Sequence, residues 1–269
     1  MKLFTKIGRF LYGIGIAAIG VHQLIITDLR LEIFPPLPVW VHHYMIFPVL
    51  TGIALIAAGI IISGLFNFKP SFVKKICLYL GFCFLVVAVI FHLPYILFFS
   101  HDSISRLDVW FGIGEALAYS GGAFVMAGSF TGNSKNAFEA FLEKFIPAGR
   151  CFFSALIILF GYSHFVFTDF VSTMVPKWMP APVFLTYFVG AALIGAGIAI
   201  ILRIWIKPVA FLLATLLFIF FIFFHVPDAI KNPYQGGGNE IVRAIVALLF
   251  MGIALVIAST NDPGRSDKL

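Results

Sequence analysis

Residues 76–99 read ICLYLGFCFLVVAVIFHLPYILFF, a run of 24 residues that contains no Lys, Arg, Asp or Glu. A helix of about 20 apolar residues is long enough to cross the hydrocarbon core of a bilayer. The run lacks the strict alternation of a barrel strand, and one helix satisfies all of its backbone hydrogen bonds internally. The stretch therefore predicts a transmembrane helix, interrupted near its end by His92 and Pro94.

The same pattern recurs along the chain of 269 residues, of which 61% are hydrophobic and 11% charged. A soluble domain carries about a quarter charged residues, so this composition excludes a soluble enzyme, a disordered protein and a nucleic-acid-binding domain. We predict an all-α integral membrane fold with eight transmembrane helices. Their approximate bounds are 7–26, 44–66, 76–99, 110–130, 151–171, 183–206, 209–230 and 241–258.

The distribution of basic residues predicts the orientation of these spans. Thirteen Lys and Arg residues fall on the side that carries both termini, and five fall on the other side. Positive charge is enriched on the cytoplasmic side, so both termini are expected in the cytoplasm. All seven histidines then fall in the outer half of the membrane, and a site built from ionisable groups would face outward.

The chain also contains an internal repeat. An offset of 141 residues, shortened by gaps to 138 and then 133, aligns two ordered series of short motifs. The matched pairs are Gly8-Arg9 with Gly149-Arg150, Gly20 with Gly161, Thr27-Asp28 with Thr168-Asp169, Gly52 with Gly190, Gly59 with Gly197, and Phe91-His92-Leu93-Pro94 with Phe224-His225-Val226-Pro227. The series predicts a duplicated unit.

Each copy holds four spans, an even number, so both copies enter the membrane in the same direction. This predicts two parallel four-helix repeats about a pseudo-two-fold axis along the membrane normal. The predicted units are residues 1–130 and 149–269. Residues 131–148 form the linker, either as a short amphipathic helix on the inner surface or as a solvated connector.

Several motifs resemble the DoxX-like family. They are a Gly-Arg before the first helix, Gly-x-x-His at Gly161 to His164, VPKWMPAP at 175–182 and Tyr-Phe-Val-Gly at 187–190. The resemblance implies two fused four-helix units, a bacterial inner membrane and a loose link to membrane redox work. One member type is the small subunit of a thiosulfate:quinone oxidoreductase. The chain departs from the family in carrying Leu55 and Leu193 where many members have an acidic residue.

The paired His-x-Pro elements are the strongest local signal for a ligand. His92 and His225 each lie sixteen residues into their spans, and each following proline removes a backbone hydrogen bond. Two such imidazoles at one depth could contact a quinone, or ligate a metal ion or haem iron. The alternative is a capped kink, with each imidazole hydrogen-bonded to a neighbouring helix.

Glu115 is the carboxylate that lies well inside a predicted span. An ionised carboxylate there is costly unless it is paired. We expect a bridge to Arg243 between the two halves, and the alternatives are proton relay or substrate contact.

The remaining candidates lie toward the outer ends of the helices. They are His22, His164 (with Thr168 positioned to orient its ring), Asp28, Asp169, the interfacial Trp40 and Trp178, and the adjacent pair His42 and His43. For each of them, the alternative to ligand contact is a structural role. Three cysteines without CxxC spacing indicate no zinc site, and no metal site is assigned.

The sequence thus predicts a DoxX-like component of a redox-linked membrane assembly that binds a quinone or another lipophilic ligand near the outer leaflet. Its expected partners are the lipid bilayer and a membrane or periplasmic protein, and nucleic acid is excluded. A small-solute or lipid transporter and a non-catalytic structural subunit remain as alternatives. Whether the protein is an enzyme is open, because no nucleophile–base pair or complete set of metal ligands appears in the sequence.

Overall fold

A computed structural model describes residues 2–38, 41, 44–99, 107–132 and 136–260, with the side chain of Asp108 left aside. The candidates Trp40, His42 and His43 lie outside the described residues. Every regular element within the described residues is helical. Apart from a short 3-10 turn at Gln235–Gly237, the described helices are α1 (Lys2–Ile26), α2 (Ile46–Ser63), α3 (Pro70–Phe99), α4 (Leu107–Gly128), α5 (Ala137–Glu143), α6 (Ile146–Val166), α7 (Thr168–Met174), α8 (Pro182–Leu202), α9 (Ile206–Lys231) and α10 (Asn239–Ser259).

Seven of the described helices are long and apolar enough to cross a membrane, namely α1, α2, α3, α6, α8, α9 and α10. They coincide with seven of the eight predicted spans, and their bounds differ by a few residues. Large apolar side chains such as Leu50, Phe184 and Leu212 face outward, as expected for helices in a lipid bilayer. The predicted fourth span forms α4, whose 22 residues are helical but which is not among these seven.

The long helices run alternately up and down the bundle. Helix α1 packs antiparallel between α2 and α10, and α6 packs antiparallel between α8 and α4. Helix α3 lies against α4, and α9 lies against α10. The largest fully buried side chains fill the centre between α1, α4, α6 and α10: Tyr12, Tyr119, Phe124, Phe153 and Phe250. We refer below to the N-terminal end of the bundle, where α1 begins, and to the histidine end, where α1 finishes.

Glycines set the closest helix contacts. A methyl group at Gly20 would lie 2.6 Å from the Gly52 carbonyl oxygen, and one at Gly161 would lie 2.7 Å from the Gly190 carbonyl oxygen. Such distances leave no room for a side chain, so the two backbones pack directly against each other. The glycines at these contacts on α2 and α8, Gly52 and Gly190, are a matched pair of the internal repeat.

The histidine of each His-x-Pro element is the last residue of a π-helical turn. The turns span Val87–His92 in α3 and Phe221–His225 in α9. In each, the amide of the residue after the histidine donates to the carbonyl five positions earlier. The wider turn is the local backbone adjustment that accompanies a proline in a membrane helix.

Helix α5 lies in the predicted linker and packs on the start of α3. Glu139 is buried and pairs with Lys75 at 2.8 Å, and Glu143 pairs with Lys74 at 2.5 Å. The ring of Phe138 stacks on Tyr79. The linker thus contains a helix, the first of the two alternatives predicted for it, and the polar face of this helix binds α3.

Candidate functional site

An arginine that the sequence analysis did not single out organises the histidine end. Arg30 is 3% exposed and makes a two-point ion pair with Glu32, with N···O distances of 2.8 and 3.0 Å. Its guanidinium also donates to the Gly237 carbonyl at 3.1 Å and to the Asn239 side chain at 2.7 Å. The loop after α1 is thereby fixed to the start of α10. In the sequence, Arg30 stands out only as one of the five basic residues on the predicted outer side of the membrane.

His22 lies directly beneath this ion pair. Its imidazole contacts the backbone of Gly238, where a side chain would collide with the ring. Gly236, Gly237 and Gly238 all have positive φ angles of 57, 68 and 81°, which glycine adopts without strain. The Nδ1 atom of His22 is buried and has no hydrogen-bond partner among the described residues. A buried polar atom of this kind is expected to bind water or a ligand.

Glu115 does not form the predicted bridge to Arg243. Arg243 pairs with Glu240, three residues earlier on α10, at 2.5 Å. Because Arg243 pairs with Glu240 within one helix, the prediction of a bridge between Glu115 and Arg243 is wrong. Within the described parts of the chain, no group hydrogen-bonds or ion-pairs with the half-buried Glu115 carboxyl, although Arg243, Arg30 and Glu32 act on it electrostatically.

Tyr119 lies one helical turn from Glu115 on α4. Its hydroxyl is buried and has no partner among the described residues. Its ring packs against Phe84 and Phe250. Tyr119 could not be identified from the sequence, because a tyrosine in an apolar run is indistinguishable from an ordinary core residue. A half-buried carboxyl and an unpartnered phenol thus lie on one face of the central helix.

His92 occupies a different environment from the one predicted for a ligand contact. Its Nε2 atom lies 2.9 Å from the Ile33 carbonyl oxygen, its ring packs on Gly112, and its side chain is 2% exposed. The imidazole therefore holds the π-helical turn against the loop after α1. Of the two hypotheses for this residue, this contact favours the capped kink, with a loop in place of the neighbouring helix.

His225 differs from His92 although their backbone turns match. It is half-buried, and it lies within electrostatic range of Arg243 and Asp228. No hydrogen bond to its ring is found among the described residues. Trp178 is 67% exposed and packs edge-on against Phe223 on the flank of α9.

The other candidates lie apart from Glu115. The His164 Nδ1 bonds the Phe160 carbonyl at 2.7 Å, and Thr168 donates to backbone carbonyls, so the prediction that Thr168 orients this ring is wrong. Asp28 accepts from the Leu29 amide at 2.7 Å, and Asp169 is exposed in the first turn of α7.

The histidine end therefore offers hydrogen-bonding groups in an apolar surround. Glu115, Tyr119 and His22 can donate or accept hydrogen bonds, and Arg30 and Arg243 lie at the same end, each paired with a glutamate. Among the described residues, no cluster of three or more His, Cys, Asp or Glu side chains could hold a metal ion.

The comparisons with known proteins agree with the resemblance noted above. The DoxX family model matches residues 145–226, which run from the start of α6 into α9. No curated protein and no solved structure matches the chain. The matched region contains α8, the Trp178 segment and the second His-x-Pro element. Residues 145–226 are therefore similar to the DoxX family, within a chain whose described residues include seven helices long and apolar enough to cross a membrane.

Proposed function

We propose that this protein binds a quinone or another lipophilic ligand at the histidine end, as a component of a redox-linked assembly in a bacterial inner membrane. The observation that carries the proposal is the Glu115 carboxyl, half-buried and without a pairing partner in the described residues, one turn from the unpartnered Tyr119 hydroxyl. Polar groups at membrane depth are costly and usually serve a function.

A quinone fits the chemistry of these groups. Its carbonyl oxygens accept hydrogen bonds, which the Tyr119 hydroxyl and a protonated Glu115 can donate, and its body and tail are apolar. His22 adds an imidazole with an unpartnered nitrogen at the same end. The redox link follows from the DoxX resemblance, and electrons would come from a partner protein, because the described side chains provide binding and proton-transfer groups.

The proposal includes a duplicated architecture with α4 as the eighth span and both termini in the cytoplasm. Equivalent contacts in the two halves support it. The Gly20–Gly52 approach between α1 and α2 matches the Gly161–Gly190 approach between α6 and α8. The first helix of each half also packs on the last helix of the other half. Helix α4, held between α3, α6 and α10, occupies the place in its half that α10 occupies in the other.

Binding of a short-chain ubiquinone tests the site. The protein in detergent micelles is titrated with the quinone, and quenching of tryptophan fluorescence gives the dissociation constant. Glu115→Leu and Tyr119→Phe are each expected to weaken binding about tenfold, because each removes one hydrogen-bond donor to the quinone. Glu240→Leu is the matched control, because Glu240 pairs with Arg243 on its own helix. Equal affinity of all variants would refute the site.

Transport is the second candidate, and one observation bears on it. Between Glu115 and the N-terminal end, the Tyr12 hydroxyl donates to the Tyr119 carbonyl at 2.9 Å, and both side chains are fully buried. A solute would have to separate this pair. A Tyr12→Ala variant that admitted solutes into liposomes, with the wild type also active, would favour a transporter over quinone binding.

A structural subunit is the third candidate. It predicts a partner that co-purifies in mild detergent and no saturable quinone binding. If a partner co-purifies and the wild type shows no saturable quinone binding, this candidate replaces the first.

A further inference from the structure

A cavity opens at the N-terminal end of the bundle, opposite the site proposed above. It has a volume of about 490 Å³ and lies between the starts of α1, α6 and α9 and the last turns of α4 and α10. Arg150 and Arg203 line it, together with the hydroxyl-bearing Ser129, Ser259 and Thr260. No Asp or Glu is among the described residues that line it. The polar lining is therefore cationic and neutral.

Arg150 is the group in this lining that lacks an internal partner. Its Nε atom is buried, and none of the described residues accepts a hydrogen bond from it. A buried guanidinium nitrogen without an acceptor is costly, since each lost charge-assisted hydrogen bond carries a larger penalty than a neutral one. The arginine is thus positioned to bind an acceptor that enters the cavity.

Arg9, which the repeat aligns with Arg150, has hydrogen-bond partners for its guanidinium. Arg9 donates from Nε to the Ser129 hydroxyl at 2.9 Å, and from Nη2 to the Ser129 carbonyl. It also lies 3.7 Å above the Phe130 ring. Both residues follow a glycine at the start of a long helix, yet only Arg9 of the two has its Nε bonded within the described chain.

The charges around the cavity favour an anion. The acids of α5, Glu139 and Glu143, form ion pairs with Lys75 and Lys74 on α3 and contribute no negative charge to the lining. Helix ends of both polarities border the cavity, so their dipoles offset one another. The charged groups in the described lining are therefore the arginine side chains.

We propose that this cavity binds a phosphate-bearing anion through Arg150, either the head group of an anionic phospholipid or a free phosphate. A guanidinium forms paired, charge-assisted hydrogen bonds with phosphate oxygens. Basic pockets between membrane helices at the head-group level bind anionic lipids in this way. The hydroxyls of Ser259 and Thr260, which now donate to carbonyls of their own helix, can rotate to donate to the anion.

The test uses the full chain in phosphatidylcholine nanodiscs. Calorimetric titration with inorganic phosphate measures the free anion, and native mass spectrometry of protein purified with phosphatidylglycerol counts the retained lipid. Arg150→Gln is expected to lower the affinity for the bound ligand, phosphate or lipid, by at least about tenfold. Arg150→Lys, which keeps the charge and loses the paired geometry, is expected to fall between Arg150→Gln and the wild type. Retention of phosphatidylglycerol over phosphatidylcholine identifies a lipid, and saturable phosphate binding alone identifies a soluble anion.

Lys207→Gln is the matched control, because Lys207 is exposed at the same end and does not line the cavity. If it weakens binding as much as Arg150→Gln, the effect is one of overall charge and the site is refuted. Absence of both ligands in the wild type also refutes it. A variant that lacks residues 261–269 tests whether this tail occupies the cavity. If phosphate binds only after the tail is removed, the tail is the occupant and the proposal is overturned.

Discussion

The Nε2 atom of His92 lies 2.9 Å from the carbonyl oxygen of Ile33. This contact joins the π-helical turn of α3 to the loop that follows α1, and that loop is also held by Arg30. In α9 the ring of His225 has no such bond within the described residues. The two elements therefore share a backbone geometry and have different surroundings.

Replacing His92 with alanine is expected to destabilise the bundle. The side chain is 2% exposed, so His92→Ala removes a buried hydrogen bond and leaves a cavity, at a cost of about 2–4 kcal/mol in the free energy of unfolding. Reversible unfolding in mixed micelles measures the change. His225→Ala serves as the comparison and should cost less than about 1 kcal/mol, because the ring is half-buried. Equal losses for both variants would contradict a structural role specific to His92.

Alanine at the glycine contacts should push helices apart. Gly20→Ala and Gly161→Ala each place a methyl group less than 3 Å from a backbone carbonyl oxygen, and overpacking of this kind costs about 1–3 kcal/mol. Thermal unfolding followed by circular dichroism should show lower midpoints for both. Gly195→Ala is the control, because no atom lies within 4 Å of its new methyl group. It should leave the midpoint unchanged or raise it, since alanine favours the helix.

Arg30→Lys is expected to loosen the loop after α1. Lysine keeps the charge but cannot form the two-point pair with Glu32 while also reaching Gly237 and Asn239. Hydrogen exchange should become faster in residues 27–38 and at the start of α10. Arg243→Lys should have little effect there, because Arg243 is exposed and contacts Glu240 on its own helix. Unchanged exchange in Arg30→Lys would mean that the apolar contacts of Ile33 hold the loop.

Removing Lys75 should release α5 from α3. Glu139 is 2% exposed, so Lys75→Met leaves a buried carboxylate with fewer partners and weakens the packing of the helix. Limited proteolysis should then cut within residues 131–148 faster than in the wild type. Lys69→Met, at an exposed position before α3, is the control. If both variants are cut at the wild-type rate, the aromatic contacts of Phe138 suffice to hold α5.

Seven spans could be predicted from apolar length alone, because a bilayer imposes a minimum length on any helix that crosses it. The close glycine contacts could be predicted from small residues in apolar runs. The partner of Arg243 could not be predicted from the sequence. Glu240 is three residues away and Glu115 is distant in sequence, and neither separation shows which carboxylate lies closer in the folded protein. Arg30 was missed because its partners Gly237 and Asn239 are over 200 residues away.

By itself, the sequence determined a multi-pass helical membrane protein with motifs that resemble the DoxX family, since composition, run length and local motifs are properties of the chain alone. The tertiary structure alone decided which polar groups are satisfied. Residues that the proposed repeat aligns, such as His92 with His225 or Arg9 with Arg150, have similar neighbours along their own helices. They differ in what the surrounding helices and loops present to them, and burial and hydrogen bonding depend on that three-dimensional neighbourhood.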